Sequence, residues 1–295
     1  MITHNQVLIS LESPSEYIVS FAGVHIAIEY ESEEVHGFLS LLFGDLQGVP
    51  TCEAETVLWI TVAETAGEFT LSGVGGNPFS GILGIRFAAV VFDAVIFNVL
   101  NKNDQGIAFH AGAVAYEDKI ILLPGESGYG KSSMTACLVA SGCSYLTDEL
   151  FFIPINDNAP RLSFTRPLCI KSGSAEAILD LLSERLLQSA LSDQYGYVIP
   201  HRLLNSDFRQ ITDSPSLILI PKYVADAPLI IEKLSPAQVS TQLMTCDVNG
   251  RNLEAHGFPQ VVEIARSTPA YRITFSSFDG IEEAMQDLFE RLGWT

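Results

Sequence analysis

Ile120-Ile121-Leu122-Leu123-Pro124-Gly125-Glu126-Ser127-Gly128-Tyr129-Gly130-Lys131-Ser132-Ser133 is the stretch that decides the fold. Residues 125–132 complete the pattern G-x-x-x-x-G-K-[ST], and each element has a physical task. Gly125, Gly128 and Gly130 let the chain curl so that successive backbone N–H groups, those of Glu126, Ser127, Tyr129 and Ser133 included, point at phosphate oxygens. Lys131 reaches the β- and γ-phosphates, and the Ser132 hydroxyl is placed to ligate Mg²⁺. The apolar run 120–123 predicts a buried strand entering the loop. Ser133-Met134-Thr135-Ala136-Cys137-Leu138-Val139-Ala140 predicts a helix leaving it, with the N-terminal dipole facing the anion. Strand, loop and helix in this order predict an α/β fold. The chain binds a nucleoside triphosphate or is built on the remains of a site that did.

Working outward, 295 residues leave room for one large domain or two smaller ones. A hydrophobic content of 47% against 17% charged fits a compact globular chain. The net charge of −19 argues against nucleic acid as a partner, because a phosphate backbone demands a basic surface. It equally disfavours anionic lipid, with the Lys131 loop as a local exception. Five cysteines (Cys52, Cys137, Cys143, Cys169, Cys246) form no C-x-x-C pair, which fits reduced thiols. The N-terminus lacks the basic flank and apolar run of a signal peptide, and a cytoplasmic location is expected. Residues 81–100 are the most apolar segment, yet Arg86 and Asp93 would burden a membrane span. They predict a buried helix and no membrane partner.

Residues 1–80 predict a smaller β-rich accessory section. Strands are expected at 7–11, 17–21, 24–28, 57–62 and 69–71, with a helix at 35–43. The cluster Ser72-Gly73-Val74-Gly75-Gly76-Asn77-Pro78 marks a turn-rich boundary. His25 alternates with apolar residues and fits a strand rather than a metal site. Residues 81–295 predict the nucleotide-binding domain. It opens with a helix at 87–100, followed by a hairpin of strands 107–116 and 119–123 around Glu117-Asp118. Strands at 144–147 and 150–153 then flank Asp148-Glu149. Further helices are expected at 174–190, 236–246, 253–266 and 281–292, and strands at 217–220, 229–234 and 271–275.

A phosphate loop alone does not separate hydrolase, transferase and switch. Asp148-Glu149 is an adjacent acidic pair in apolar sequence, and phosphoryl transfer needs carboxylates to hold Mg²⁺ and to orient or deprotonate the attacking hydroxyl. A solvated turn between two strands would read the same way. His110, on the strand before the hairpin, fits a packed strand residue as well as a site residue.

From His110-Ala111-Gly112 through the loop to Leu146-Thr147-Asp148-Glu149, the chain resembles the catalytic domain of HPr kinase/phosphorylase. More closely still, it resembles the broader group of HPr-kinase-related proteins. A His-x-Gly strand, the loop and a paired acidic motif follow there in this order, at similar separations. The resemblance implies a phosphoenolpyruvate-carboxykinase-like P-loop fold, a mixed sheet with flanking helices, and ATP- and Mg²⁺-dependent phosphorylation of a serine or other hydroxyl. It also implies roles: Asp148 as general base, Glu149 with Ser132 and Asp148 at Mg²⁺, Lys131 on the phosphates, and His110 near the acceptor. Arg166, in Thr165-Arg166-Pro167-Leu168, would stabilise phosphoryl charge, though a surface-loop arginine before proline reads the same way.

The family's usual Asp-Asp is Asp148-Glu149 here, and the section before residue 80 does not match. The family's dephosphorylation loop has no counterpart, so neither HPr nor phosphorolysis is expected. The acceptor is expected to be a protein, a peptide or a small molecule bearing a hydroxyl. Oligomers are common in the family, which sets the expectation of a homo-oligomer. The alternative is a nucleotide-binding regulatory or assembly protein with little or no phosphotransfer, its β-rich section holding the partner. A carboxykinase would need more cations than 16 Lys and Arg supply.

Overall fold

The computed structural model describes residues 10–49, 53–73, 76–126, 128–156, 159–179, 190–204 and 211–294. The chain forms two compact units, residues 1–102 and 103–295. In the first, strand β1 (Ser10–Phe21) turns back into β2 (Val24–Ser32) through Ala22 and Gly23, both at positive φ. A two-residue loop of that hand matches the right-handed twist of the strands it joins. Helix α1 (Glu33–Phe43) starts where the Ser32 hydroxyl accepts the Val35 N–H, and Glu33 and Glu34 favour the positive end of its dipole. Strands β3 (Glu55–Val62), β4 (Phe69–Gly73) and β5 (Phe79–Gly81) complete a sheet ordered β1-β2-β3-β4-β5.

Helix α2 (Ile85–Leu100) belongs to this unit, and the division at 102 corrects the expected boundary at 80. Two observations explain the shift. The cluster at 72–78 interrupts the sheet without ending it, because β5 pairs with β4 beyond it. The apolar face of α2 is spent here: Phe87 meets Phe38 and Phe79, and Phe92 meets Phe43 edge-on. The expected strand at 7–11 lies in part outside the described residues.

In the second unit the hairpin is as expected, β6 (Gly106–Tyr116) running antiparallel to β7 (Lys119–Pro124). After the loop come α3 (Lys131–Ala140), β8 (Ser144–Thr147), β9 (Leu150–Pro154), β10 (Arg161–Ser163), β11 (Leu168–Lys171) and α4 (Ser172–Leu179). Beyond them lie β12 (Leu191–Asp193), β13 (Gly196–Ile199), α5 (His201–Leu204), β14 (Ile211–Thr212), β15 (Leu217–Tyr223), β16 (Ile230–Lys233) and α6 (Pro236–Cys246). Helix α7 (Phe258–Ser267), β17 (Ala270–Phe275) and α8 (Ile281–Leu292) follow. The main sheet runs β14-β10-β9-β6-β7-β15-β17-β16, with β8 also paired to β6, while β11, β13 and β12 form a small second sheet.

Period-2 alternation builds a two-sided core. Ile121, Leu123, Leu217 and Leu219 face α3 and α8, through Met134, Leu138, Ile281 and Met285. Ile120, Leu122, Ile218 and Ile220 face α6 and α7, through Val239, Leu243, Val261 and Ala265. Because both faces are covered, the central strands read as continuous apolar runs. Strands β7, β15 and β17 are parallel, and β6 and β16 are antiparallel to their neighbours, so the sheet is mixed. The expected helix at 253–266 begins only at Phe258, because Ala255, His256 and Gly257 all have positive φ. Of the helix expected at 174–190, α4 is described, and residues 180–189 lie outside the described set.

Candidate active site

The glycine-rich loop joins the buried end of β7 to the first turn of α3. Gly128 (φ 91) and Gly130 (φ 89) occupy the left-handed backbone the curl requires. Glu126, Gly128 and Tyr129 are exposed, Gly125 is buried, and Ser132 and Ser133 are half-buried on the first helical turn; Ser127 lies outside the described residues. Lys131 is buried and folds inward, its Nζ donating to Gly125 O at 3.0 Å and lying 2.8 Å from His110 Nε2. Burial pushes the Lys131 pKa below its ordinary 10.5, with Glu149 and then Asp148 opposing the shift.

Asp148-Glu149 is no solvated turn. Strand β8 pairs with residues 113–115 of β6, and β9 pairs with residues 106–110 of the same strand. The acidic pair therefore lies in one run of chain along β6, a two-residue break between β8 and β9 that keeps the register, with Thr147 opposite Ala113 and Leu150 opposite His110. Thr147 pins it: its hydroxyl accepts from Glu149 N at 3.0 Å and Leu150 N at 3.3 Å, and donates to Phe164 O at 2.8 Å. Opposite this break, a methyl on Gly112 would run into Thr135 Oγ1, which explains the glycine of the His-x-Gly strand.

The two carboxylates have different surroundings. The Asp148 side chain has 0% exposure. Its Oδ1 accepts from Arg166 Nε at 3.1 Å and lies 3.3 Å from the Tyr145 hydroxyl, and its Oδ2 accepts from Cys169 N at 3.2 Å. The Tyr145 hydroxyl also donates to Arg166 O at 2.9 Å, which locks the guanidinium's own backbone. Glu149, at 18% exposure, meets Arg166 with Oε2 at 2.5 Å and His110 Nδ1 with Oε1 at 3.0 Å. Burial alone would raise its pKa, but the Arg166 charge and the His110 bond hold it at about 2.

One line of polar groups thus runs Gly125 O, Lys131, His110, Glu149, Arg166, Asp148. A lysine ammonium can only donate, so His110 Nε2 accepts, and its proton sits on Nδ1 toward the Glu149 carboxylate. All the residues expected to be catalytic (His110, Lys131, Asp148, Arg166) fall in this line, together with Glu149. Sequence reasoning missed Tyr145 and the Cys169 N–H, whose importance appears only once β8 and β11 are placed.

For a triphosphate the chemistry fits: a left-handed glycine curl, a helix N-terminus and a buried lysine. For Mg²⁺, no group of three or more His, Cys, Asp or Glu side chains is arranged to hold a metal among the described residues. Mg²⁺ shared with phosphates and water needs only one or two protein oxygens. Glu149 and the half-buried Ser132 hydroxyl suit that sparse set. Asp148, its side chain sealed at 0% exposure, does not.

No protein-family model matches the chain, and no curated protein does. Among solved structures it is similar to the HPr(Ser) kinase/phosphatase from Coxiella burnetii, with a TM-score of 0.30 and 11% identity over 62% of this chain and 94% of that chain. Likeness at that level is distant and decides neither activity nor substrate. What the structure itself defines is a mixed α/β protein whose phosphate-loop sequence lies against a His–Glu–Arg–Asp line.

Proposed function

We propose that this chain is an ATP- and Mg²⁺-dependent kinase acting on a hydroxyl of a protein, peptide or small molecule, on a phosphoenolpyruvate-carboxykinase-like P-loop fold. The observation that carries this is the contact between the loop lysine and His110, which is itself bonded to Glu149. A loop that served binding alone has no need of a histidine–carboxylate pair at its lysine. Phosphate oxygens compete as hydrogen-bond acceptors for the Lys131 ammonium, and once its N–H turns from His110 to them Nε2 is left a free acceptor. His110, oriented by Glu149, then takes the acceptor's proton at Nε2, and the carboxylate stabilises the imidazolium that results. Arg166, held by Asp148, keeps Glu149 ionised and adds positive charge near the reacting group. When bound, Mg²⁺ supplies charge neutralisation between the phosphates.

The base role that the resemblance implied for Asp148 passes in this proposal to His110, because Asp148 is sealed from solvent. The same burial favours a second reading, a nucleotide-binding regulatory protein with little transfer. The test is single-turnover reaction with γ-labelled ATP and Mg²⁺, using a peptide and lysate pool as acceptor and ADP release to water as the background. Lys131→Ala should lose nucleotide binding. His110→Asn should bind normally and lose roughly 100-fold or more in transfer. ATP bound by the unaltered protein with neither labelled acceptor nor ADP would decide for the regulatory reading.

A further inference from the structure

The main sheet gives the loop two unlike sides. On the β6 and β9 side lie His110, Glu149 and Arg166. On the other side the parallel strands β15 and β17 end beside the loop, at Tyr223 and Phe275. Ligands of open α/β sheets sit at these carboxyl ends. There the loop is bonded directly to β15, Tyr223 N donating to Tyr129 O at 3.2 Å. Tyr223 is 50% exposed and Tyr129 37%, although both adjoin a glycine loop where polar residues would be the ordinary choice. Beneath them Phe275 is buried; it meets the Tyr223 ring edge-on at 5.9 Å, and a methyl on Gly130 would lie 2.8 Å from its Cζ. Phe275 therefore fixes both the loop and the exposed tyrosine.

If the γ-phosphate end of the ligand is the end at Lys131, His110 and Glu149, the nucleoside end leaves the loop away from them, toward β15. Resting on the proposed nucleotide site, we infer that Tyr223, with Tyr129 beside it, is the platform on which the nucleobase stacks. An aromatic face recognises a π-system rather than a hydrogen-bond pattern, so ATP and GTP should bind alike.

The experiment is calorimetric titration of the full chain with Mg·ATP, Mg·GTP and Mg·tripolyphosphate. Tripolyphosphate carries the phosphates without a base. The unaltered protein should bind ATP and GTP about tenfold or more tighter than tripolyphosphate. Tyr223→Ala should erase that advantage and leave tripolyphosphate affinity unchanged, while Tyr223→Phe retains it. Tyr223 is exposed, so folding is not at stake, and circular dichroism checks it. If ATP and tripolyphosphate bind the unaltered protein equally, or Tyr223→Ala weakens neither nucleotide, the platform is refuted while the phosphate site stands. If none of the three binds, the nucleotide site and the platform fall together.

Discussion

At the scale of single residues, the pivotal group is Glu149. Its carboxyl is held at about 2 in the folded chain against an ordinary 4.5, because Arg166 and His110 favour the charged form over the cost of burial. The unfolded carboxylate takes up its proton first as pH falls, so this group stabilises the fold fully above about 4.5. That contribution is lost as pH drops toward 2. The shift corresponds to on the order of 3 kcal/mol at neutral pH. Urea unfolding of the unaltered protein and of Glu149→Gln should differ by roughly that amount at about pH 6 and converge progressively below about pH 4. A constant gap across that range would show that Glu149 acts through packing instead of charge.

Among the elements, the loop between β7 and α3 carries the tightest local constraint. Gly130 combines φ 89 with a Cβ position 2.8 Å from Phe275 Cζ. Gly130→Ala therefore faces both left-handed strain and a clash with a buried ring, at a cost of about 1–3 kcal/mol. Denaturant titration should register that loss, and calorimetry a weakened Mg·ATP affinity; full stability and affinity would mean the loop rearranges freely. Much of this scale was legible in the chain. Pro236–Cys246 and Ile281–Leu292 form at the expected bounds, the former under a capping box from Ser235 and Gln238. The late start of α7 was not, because three successive residues with positive φ obey no apolar period. Nor was the strand break at Asp148-Glu149: two carboxylates between apolar runs look the same in a turn and in an interrupted strand, and only pairing to one continuous β6 tells them apart.

For the whole molecule, the polar line from Gly125 to Asp148, the supporting Tyr145 and Cys169, and the aromatic pair at the loop all lie within residues 103–295. That unit has its own core on both faces of its sheet. Expressed alone, residues 103–295 should fold cooperatively and bind Mg·ATP as the full chain does, by thermal unfolding and calorimetry. Loss of binding in a folded fragment would give residues 1–102 a share in the site.

By itself the sequence determined the G-x-x-x-x-G-K-[ST] loop with its flanking strand and helix, because these depend on spacing within a few turns of chain. Tertiary structure decided the rest. Helix α2 joins the first unit because its phenylalanines find partners there, at distances along the chain that no local pattern encodes. The two carboxylates of Asp148-Glu149, adjacent in sequence and alike in charge, diverge because strand pairing turns one into a sealed anchor for Arg166 and the other toward His110. Burial and hydrogen-bond partners, which separate such groups, come from residues brought together only when the sheet closes.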